Sequence, residues 1–311
     1  MKILAISGGA INGNNDAMAR EALMGAREQN AEIEFIRLHE LDLKPCTGCV
    51  VCVNGMMGGG TGNCIIKDDM AWLGEKLISA DGLIFVMPIF EKGAPAAMRL
   101  VQDRLFGPTY DAGTCTIALD IAKKTGGPGP DPRKLIPKVI SFITIGGSDW
   151  MTRAAADMNL LAMSRCWKVI DNAVFPWSKS IVMNDDSVAK CHEIGVNIAK
   201  AAALGADKAE YLGDPGVCPE CHSRNFHVKD DPKQTICVVC GLIGELKLEG
   251  GKMTFEIPAE SYVHSHYRMS GKFEHMDDIY RIETELNEYK KTDEYKRRME
   301  NYRDFIKSTK P

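Results

Sequence analysis

The sequence predicts a doubly wound α/β domain with a five-stranded parallel sheet, followed by a small metal-ribbon module and a C-terminal helical segment. Three observations predict it. Short apolar runs alternate with helical stretches between Lys2 and Leu204. Those runs are apolar almost throughout, as strands covered on both faces are. Eight of the 11 cysteines fall into two groups with ligand spacing, Cys46 to Cys64 and Cys218 to Cys240.

The first strand is Lys2 to Ser7, KILAIS, which runs into the turn GGAINGNND and then the helical pattern AMAREALMGAREQN. A glycine-rich strand-to-helix corner gathers free backbone amides at the positive end of a helix dipole, so a phosphate is the expected guest. The turn carries neither a dinucleotide fingerprint nor a lysine-bearing phosphate loop. The strand AEIEFIRL follows, then the cysteine loop, a helix from Asp68 to Ala80 and the strand GLIFVMP. The strand KVISFITIGG ends in Gly146-Gly147-Ser148-Asp149. A helix from Arg153 to Cys166, the strand VIDNAVF and a helix from Ser187 to Leu204 complete the domain. Parallel sheets bind ligands beyond the carboxyl ends of their strands. Four segments lie there: Ser7 to Asn15, Pro88-Ile89-Phe90, the cysteine loop and Gly146 to Asp149.

Three thiols stand at Cys46-x2-Cys49-x2-Cys52, and Cys64 follows a glycine-rich excursion from Gly55 to Gly62 that reads as a mobile loop. Thiolates spaced so tightly suit neighbouring corners of one inorganic cluster, and [4Fe-4S] is the expected occupant. A free-thiol loop and a zinc knuckle are the alternatives. A third evenly spaced cysteine is superfluous for zinc, which argues against the knuckle. Cys115, Cys166 and Cys191 read as buried packing.

The formal net charge of −4 and a charged fraction of 26% give no global basic field, so neither nucleic acid nor an anionic membrane is an expected partner. The opening MKILAISGGA loses its apolar run too soon for a signal peptide, and no stretch is long enough to span a bilayer. Thiols that must stay reduced to bind metal place the chain in the cytoplasm.

Residues 105–137 form an insertion whose proline and glycine content predicts a loop with one helical turn near Thr116 to Lys123, a lid or a partner contact. Tyr110 within it reads as a surface tyrosine. After the linker Gly213 to Gly216, Cys218-x2-Cys221 and Cys237-x2-Cys240 give two separated knuckles, a strong metal signal. Zinc and a single rubredoxin-type iron share this sulfur geometry. Phe226 is the only aromatic residue between the knuckles, which favours zinc. His264 and His266 read as an exposed polar loop. His275 to Lys307 is helical, with Ile279, Ile282, Leu286 and Tyr289 on one face and Thr292-Asp293 as a break and new cap. This face is expected to lie on the body or on a second subunit. The predicted divisions are 1–212, 213–258 and 259–311.

The order of elements, with Asp68-Asp69-Met70, Ala80-Asp81-Gly82, Pro88-Ile89-Phe90, Met98-Arg99 and Asp103-Arg104 in sequence, resembles the flavodoxin-like reductases that bind flavin mononucleotide (FMN), and within them the iron-sulfur flavoproteins. The resemblance covers about the first two-thirds of the chain. It implies FMN held by Ser7, Gly9, Gly13, Asn14 and Asn15 at the phosphate, by Pro88, Ile89 and Phe90 along the ring, and by Gly146, Gly147 and Asp149 over its other edge. It implies a [4Fe-4S] cluster on Cys46, Cys49, Cys52 and Cys64, and a homo-oligomer in which one subunit's cluster approaches another's flavin. The chain departs from the pattern where an arginine and a hydroxyl residue are usual in the phosphate turn, since Ile11 and Asn15 stand there. Ile89 replaces the usual aromatic, and the spacing before Cys64 is longer than usual.

The expected function is an oxidoreductase that moves electrons between a low-potential donor, ferredoxin or NAD(P)H, and an acceptor through cluster and FMN, with a small organic substrate as one acceptor. Two alternatives stand beside it. One is a NAD(P)H-dependent reductase of quinones or other aromatics in which the cysteine loop is only structural. The other is a redox-sensing binding module using the ribbon.

Overall fold

The computed structural model describes residues 1–107 and 109–309. Pro108, within the predicted insertion, and Lys310 and Pro311, within the C-terminal segment, lie outside the described residues.

Five strands, β1 (Lys2–Ser7), β2 (Glu32–Arg37), β3 (Gly82–Pro88), β4 (Val139–Ile145) and β5 (Lys168–Phe175), form one sheet in the order β2-β1-β3-β4-β5. All four pairings are parallel. This is the flavodoxin-like order, with its switch point between β1 and β3. Side chains alternate between two cores. Leu4, Ile6, Leu83, Phe85, Ile140 and Phe142 face one, while Ile3, Ala5, Ile84, Val86, Val139 and Ile143 face the other. Burial on both faces explains the unbroken apolar runs.

Helices α1 (Asn14–Glu28) and α7 (Asp185–Leu204) cover the second face. They approach closely because Gly25 and Gly195 lack a Cβ, which would collide with the carbonyls of His192 and Ala22. The first face carries α3 (Met70–Ser79), α4 (Ala96–Val101) with its π-helical continuation Gln102–Phe106, and α6 (Ala154–Arg165). Trp167 sits under this layer, edge-on to Phe106 at 5.5 Å.

Two loop expectations are corrected. The cysteine loop is not open coil, because α2 (Val51–Met57) begins immediately after Cys49-Val50 and buries Met56. The insertion holds a full helix, α5 (Ala112–Thr125), rather than one turn. Asp111 caps it by accepting the Thr114 amide, Gly126 closes it at φ 73°, and Cys115, Ala118 and Ala122 bury its inner face. Tyr110 is not a surface residue. It is buried, with its hydroxyl against Gly74. Of the three solitary cysteines, Cys115 and Cys191 are buried as expected, whereas Cys166 is half-buried at φ 52° after α6.

The C-terminal region builds an antiparallel sheet from β6 (Phe226–His227), β7 (Thr235–Cys237), β8 (Ile243–Glu249) and β9 (Lys252–Glu256). Helices α8 (Met269–Tyr289) and α9 (Asp293–Phe305) follow, and Thr292 caps α9 by accepting the Tyr295 amide. Only the start of α8 is covered, at Gly271 and Lys272, while Ile279 and Ile282 are exposed. No helix among the described residues is long and apolar enough to cross a membrane.

Gly195→Ala is expected to destabilise the protein by about 1–3 kcal/mol, the usual cost of overpacking. A lowered unfolding midpoint of the purified protein checks this, and an unchanged midpoint contradicts the close-approach account of α1 and α7.

Candidate active site and cysteine centres

At the carboxyl end of β1, Ser7 and Gly9 are buried and the Gly8 amide donates to the Val86 carbonyl. A Cβ on Gly9 would overlap the Asn15 side chain. Gly13 gives α1 no side-chain cap, so the first-turn amides stay available. Asn15 is buried and its Nδ2 has no protein partner among the described residues. An orphan donor beside an uncapped helix end fits an anionic group such as the FMN phosphate. Asn14 is committed elsewhere, its Nδ2 donating to the Lys179 carbonyl at 2.7 Å.

The arginine missing from this turn in the sequence arrives from β2. Arg37 donates to Asp16 Oδ2 at 2.6 Å, to Glu40 at 2.6 Å and to Asn12 Oδ1 at 3.2 Å. Asn12 is held at φ 55°, and its amide also donates to Asp16. Burial alone would raise the Asp16 carboxyl, but hydrogen bonds from Ser7, Arg37 and the Asn12 amide hold it below the usual carboxylate range. Arg20 and Arg37 flank the Phe35 ring at 5.0 and 5.3 Å. The sequence signal for Arg37 was its place at the end of the strand beside β1.

After β3, Pro88 and Ile89 are half-buried and Phe90 is exposed. Phe90 and Gly93 exchange backbone hydrogen bonds, closing a turn in which Glu91 and Lys92 take φ of 45° and 70°. After β4, Gly146 is buried, its amide donating to Phe175 and its carbonyl accepting from Ser178, whereas Gly147 and Asp149 are exposed. The structure therefore brings the three predicted segments to one edge of the sheet. It adds two residues that sequence reasoning missed. Trp150 and Trp177 are 60% and 68% exposed, and both backbones hang from Ser148: Trp150 donates to its Oγ and Trp177 to its carbonyl. Lys92 Nζ lies 5.5 Å from the Trp150 ring. Two tryptophans in the loops following β4 and β5 were the available signal.

In the cysteine loop, Cys46 and Cys49 are exposed, and Cys52 and Cys64 are half-buried. A buried ion pair ties both ends of the loop to the core. Arg104 donates to Asp68 at 2.7 and 3.2 Å and to the Lys44 carbonyl at 2.6 Å, while the Lys44 amide donates to Asp68. Burial pushes the Asp68 carboxyl up, but Arg104 and the Lys44 and Met70 amides prevail and hold it low. The Gly48 amide lies 3.4 Å from the Cys46 sulfur, and the Val51 amide followed by the Thr47 hydroxyl lowers the Cys49 thiol. Burial raises Cys52. Amide donors aimed at sulfur fit thiolate ligands, so the four cysteines suit an inorganic cluster.

The second group is drawn together. Cys218, Cys221, Cys237 and Cys240 are buried with all four sulfurs within 4.8 Å of one another, the geometry of a single tetrahedral ion. The sequence counted one aromatic here. The fold supplies three more, with Phe226 packing on Phe255 at 4.8 Å and Tyr262 and Tyr267 joining the same cluster. The scarcity of aromatics that favoured zinc over iron is thus removed. His264 lies in a 3₁₀ helix, Ala259–His264, exposed and paired with Glu274 at 2.6 Å. His266 is half-buried, with its amide on the Cys240 carbonyl and its ring over Gly241, so it packs on the metal knuckle instead of an exposed loop.

The ribbon also reaches the ligand loops. Asn225 Nδ2 donates to the Thr152 carbonyl at 2.8 Å. Asn159 of α6 donates to the Cys221 carbonyl and accepts from Asn172 of β5 and, at its carbonyl, from Tyr267.

The family profile described as NADPH-dependent FMN reductase matches residues 1–180. A solved structure described as a flavone reductase aligns over 100% of both chains, with a TM-score of 0.90 and 48% identity. Flavone synthase cfoJ of Aspergillus candidus is 26% identical over 291 residues, 90% of this chain and 88% of its own. An iron-sulfur flavoprotein of Methanocaldococcus jannaschii is 36% identical over 105 residues, which cover 33% of this chain and 51% of that protein.

Arg37→Met removes charged hydrogen bonds worth about 1.5–3 kcal/mol, so FMN is expected to bind about 10- to 100-fold more weakly. Fluorescence titration of flavin-free protein measures this, and unchanged affinity contradicts the role given to Arg37.

Proposed function

We propose, for a chain that belongs to the NADPH-dependent FMN reductase family, the reduction of a flat, oxygenated aromatic ketone of the flavone class. Family membership makes it an FMN-dependent oxidoreductase, and the buried group Cys218, Cys221, Cys237 and Cys240, outside the matched residues, adds a metal-binding module. The observation that carries the substrate class is the likeness to a flavone reductase over the entire chain, ribbon and C-terminal helices included. The second full-length relative is named for forming flavone, so the same molecule appears in both names.

The site's chemistry supports this reading. Bound FMN supplies hydride chemistry. The α1 end and Asn15 hold its phosphate, Pro88, Ile89 and Phe90 line its ring, and Gly146, Gly147 and Asp149 close its other edge. Phe90, Trp150 and Trp177 offer exposed aromatic faces on which a planar ketone stacks. Lys92, beside Trp150, places positive charge near the substrate's oxygens. Reducing the carbon–carbon double bond conjugated to the carbonyl adds one hydride and one proton and leaves the ring oxygens in place.

Cys46, Cys49, Cys52 and Cys64 would hold a [4Fe-4S] cluster, which would supply single-electron transfer for a low-potential donor of the ferredoxin type, with NAD(P)H as the other donor. The tight Cys218 to Cys240 centre holds zinc or one iron. A second copy of the chain covers the apolar stripe of α8 at Ile279 and Ile282, making a homo-oligomer. Cysteine ligands must stay reduced to bind metal, which supports a reducing compartment such as the cytoplasm.

The test is composition and turnover on anaerobically purified protein. About one FMN and four irons with matching sulfide per chain are expected, plus one zinc or a fifth iron. Flavone is expected to give its dihydro product with a reduced viologen or with NADPH. No product with either donor overturns the proposal. Activity without labile sulfide would retain the substrate and remove the cluster.

A further inference from the structure

We propose that Arg104 is a positioning residue for the iron-sulfur centre: its Nε–H donates to the Cys64 sulfur, fixes that thiol as the fourth ligand and raises the centre's reduction potential. The inference rests on the cluster reading above.

Arg104 is 5% exposed and lies in the π-helical segment Gln102–Phe106. Such segments recur at functional sites, where the widened turn redirects side chains. Its guanidinium is only partly used. Nη1 donates to the Lys44 carbonyl and to Asp68 Oδ2, and Nη2 to Asp68 Oδ1. Nε is buried and has no partner among the described residues. A buried cationic N–H without an acceptor is costly, and structures rarely leave one so. Arg104 and Cys64 line the same cavity of about 720 Å³, together with Thr61, Asn63 and Lys134.

The pairing with Asp68 occupies one edge of the guanidinium and fixes the plane of the rest. It leaves Nε free to turn toward Cys64, the cysteine farthest in sequence from the other three, which lines the same cavity. That answers the question raised by the long spacing before Cys64: the loop needs no short tether if a buried cation holds the thiol. Hydrogen bonds to cluster sulfurs are a protein's lever on potential, since they stabilise the more negative reduced state.

Arg104→Lys keeps a cation for Asp68 and removes the Nε donor. On the full chain with FMN and cluster, its labile sulfide is expected to match the wild type. An EPR-monitored titration is expected to show the cluster at least tenfold harder to reduce, 59 mV lower for one electron. Cys64→Ser is expected to lose the four-iron signal. Retained sulfide with an unmoved potential in Arg104→Lys overturns the inference alone. Absence of labile sulfide in the wild type overturns the cluster reading and the inference together. Should Arg104→Lys lose its cluster, Asp68→Asn decides: retention there supports Arg104, and parallel loss makes the pair a simple brace and overturns the proposal.

Discussion

The parts of this chain meet at one buried asparagine. Asn159 of α6 donates to the carbonyl of Cys221, accepts from Asn172 on the edge strand β5, and takes the Tyr267 hydroxyl on its own carbonyl. Sheet, cysteine ribbon and C-terminal segment thereby share one hydrogen-bonded node in the interior, where an unsatisfied polar atom is most costly. Asn225 extends the connection from ribbon to the Thr152 carbonyl, at the end of the loop that begins with Gly146. A metal module that braces a ligand loop has a role whether or not its ion carries electrons.

The chemistry depends on a second constraint, imposed by the parallel sheet. Because every strand runs the same way, the loops after β1, β3, β4 and β5 emerge at one edge, and each contributes a different property. The β1 loop offers an uncapped helix end and the orphan Asn15 donor. The β3 loop offers Phe90, and the β4 and β5 loops offer two tryptophans pinned to Ser148. Anion recognition lies at the switch point and aromatic surface lies beyond it, an arrangement suited to a phosphate-bearing flavin and a flat acceptor.

The central strands β1, β3 and β4 were legible because burial on both faces writes itself as apolar runs, and β1 and β3 were read to the residue, whereas the edge strands β2 and β5 mix polar with apolar residues. The four-cysteine group Cys218 to Cys240 was legible because its chemistry is local in sequence. What stayed hidden was set by tertiary contact. Arg37 reaches Asn12 and Asp16 in the glycine-rich turn only once β2 pairs with β1. Phe255, Tyr262 and Tyr267 join the four-cysteine centre only when β9 and the following segment fold back on it. α5 was underestimated because the glycines and prolines flanking it read as loop, whereas the Asp111 cap and the buried Cys115, Ala118 and Ala122 sustain nearly four turns. Tyr110 looked like a surface residue because nothing near it in sequence announces the packing against Gly74.

The central claim is that flavone-class ketones are reduced at the FMN edge of this sheet. A single-turnover measurement tests it most directly: the anaerobic, fully reduced protein is mixed with flavone while flavin absorbance and product are followed together. The account predicts that the absorbance of oxidised flavin returns as dihydro product appears, with no other acceptor present. Flavin that stays reduced in the presence of flavone, yet reoxidises when a quinone is added, would contradict it.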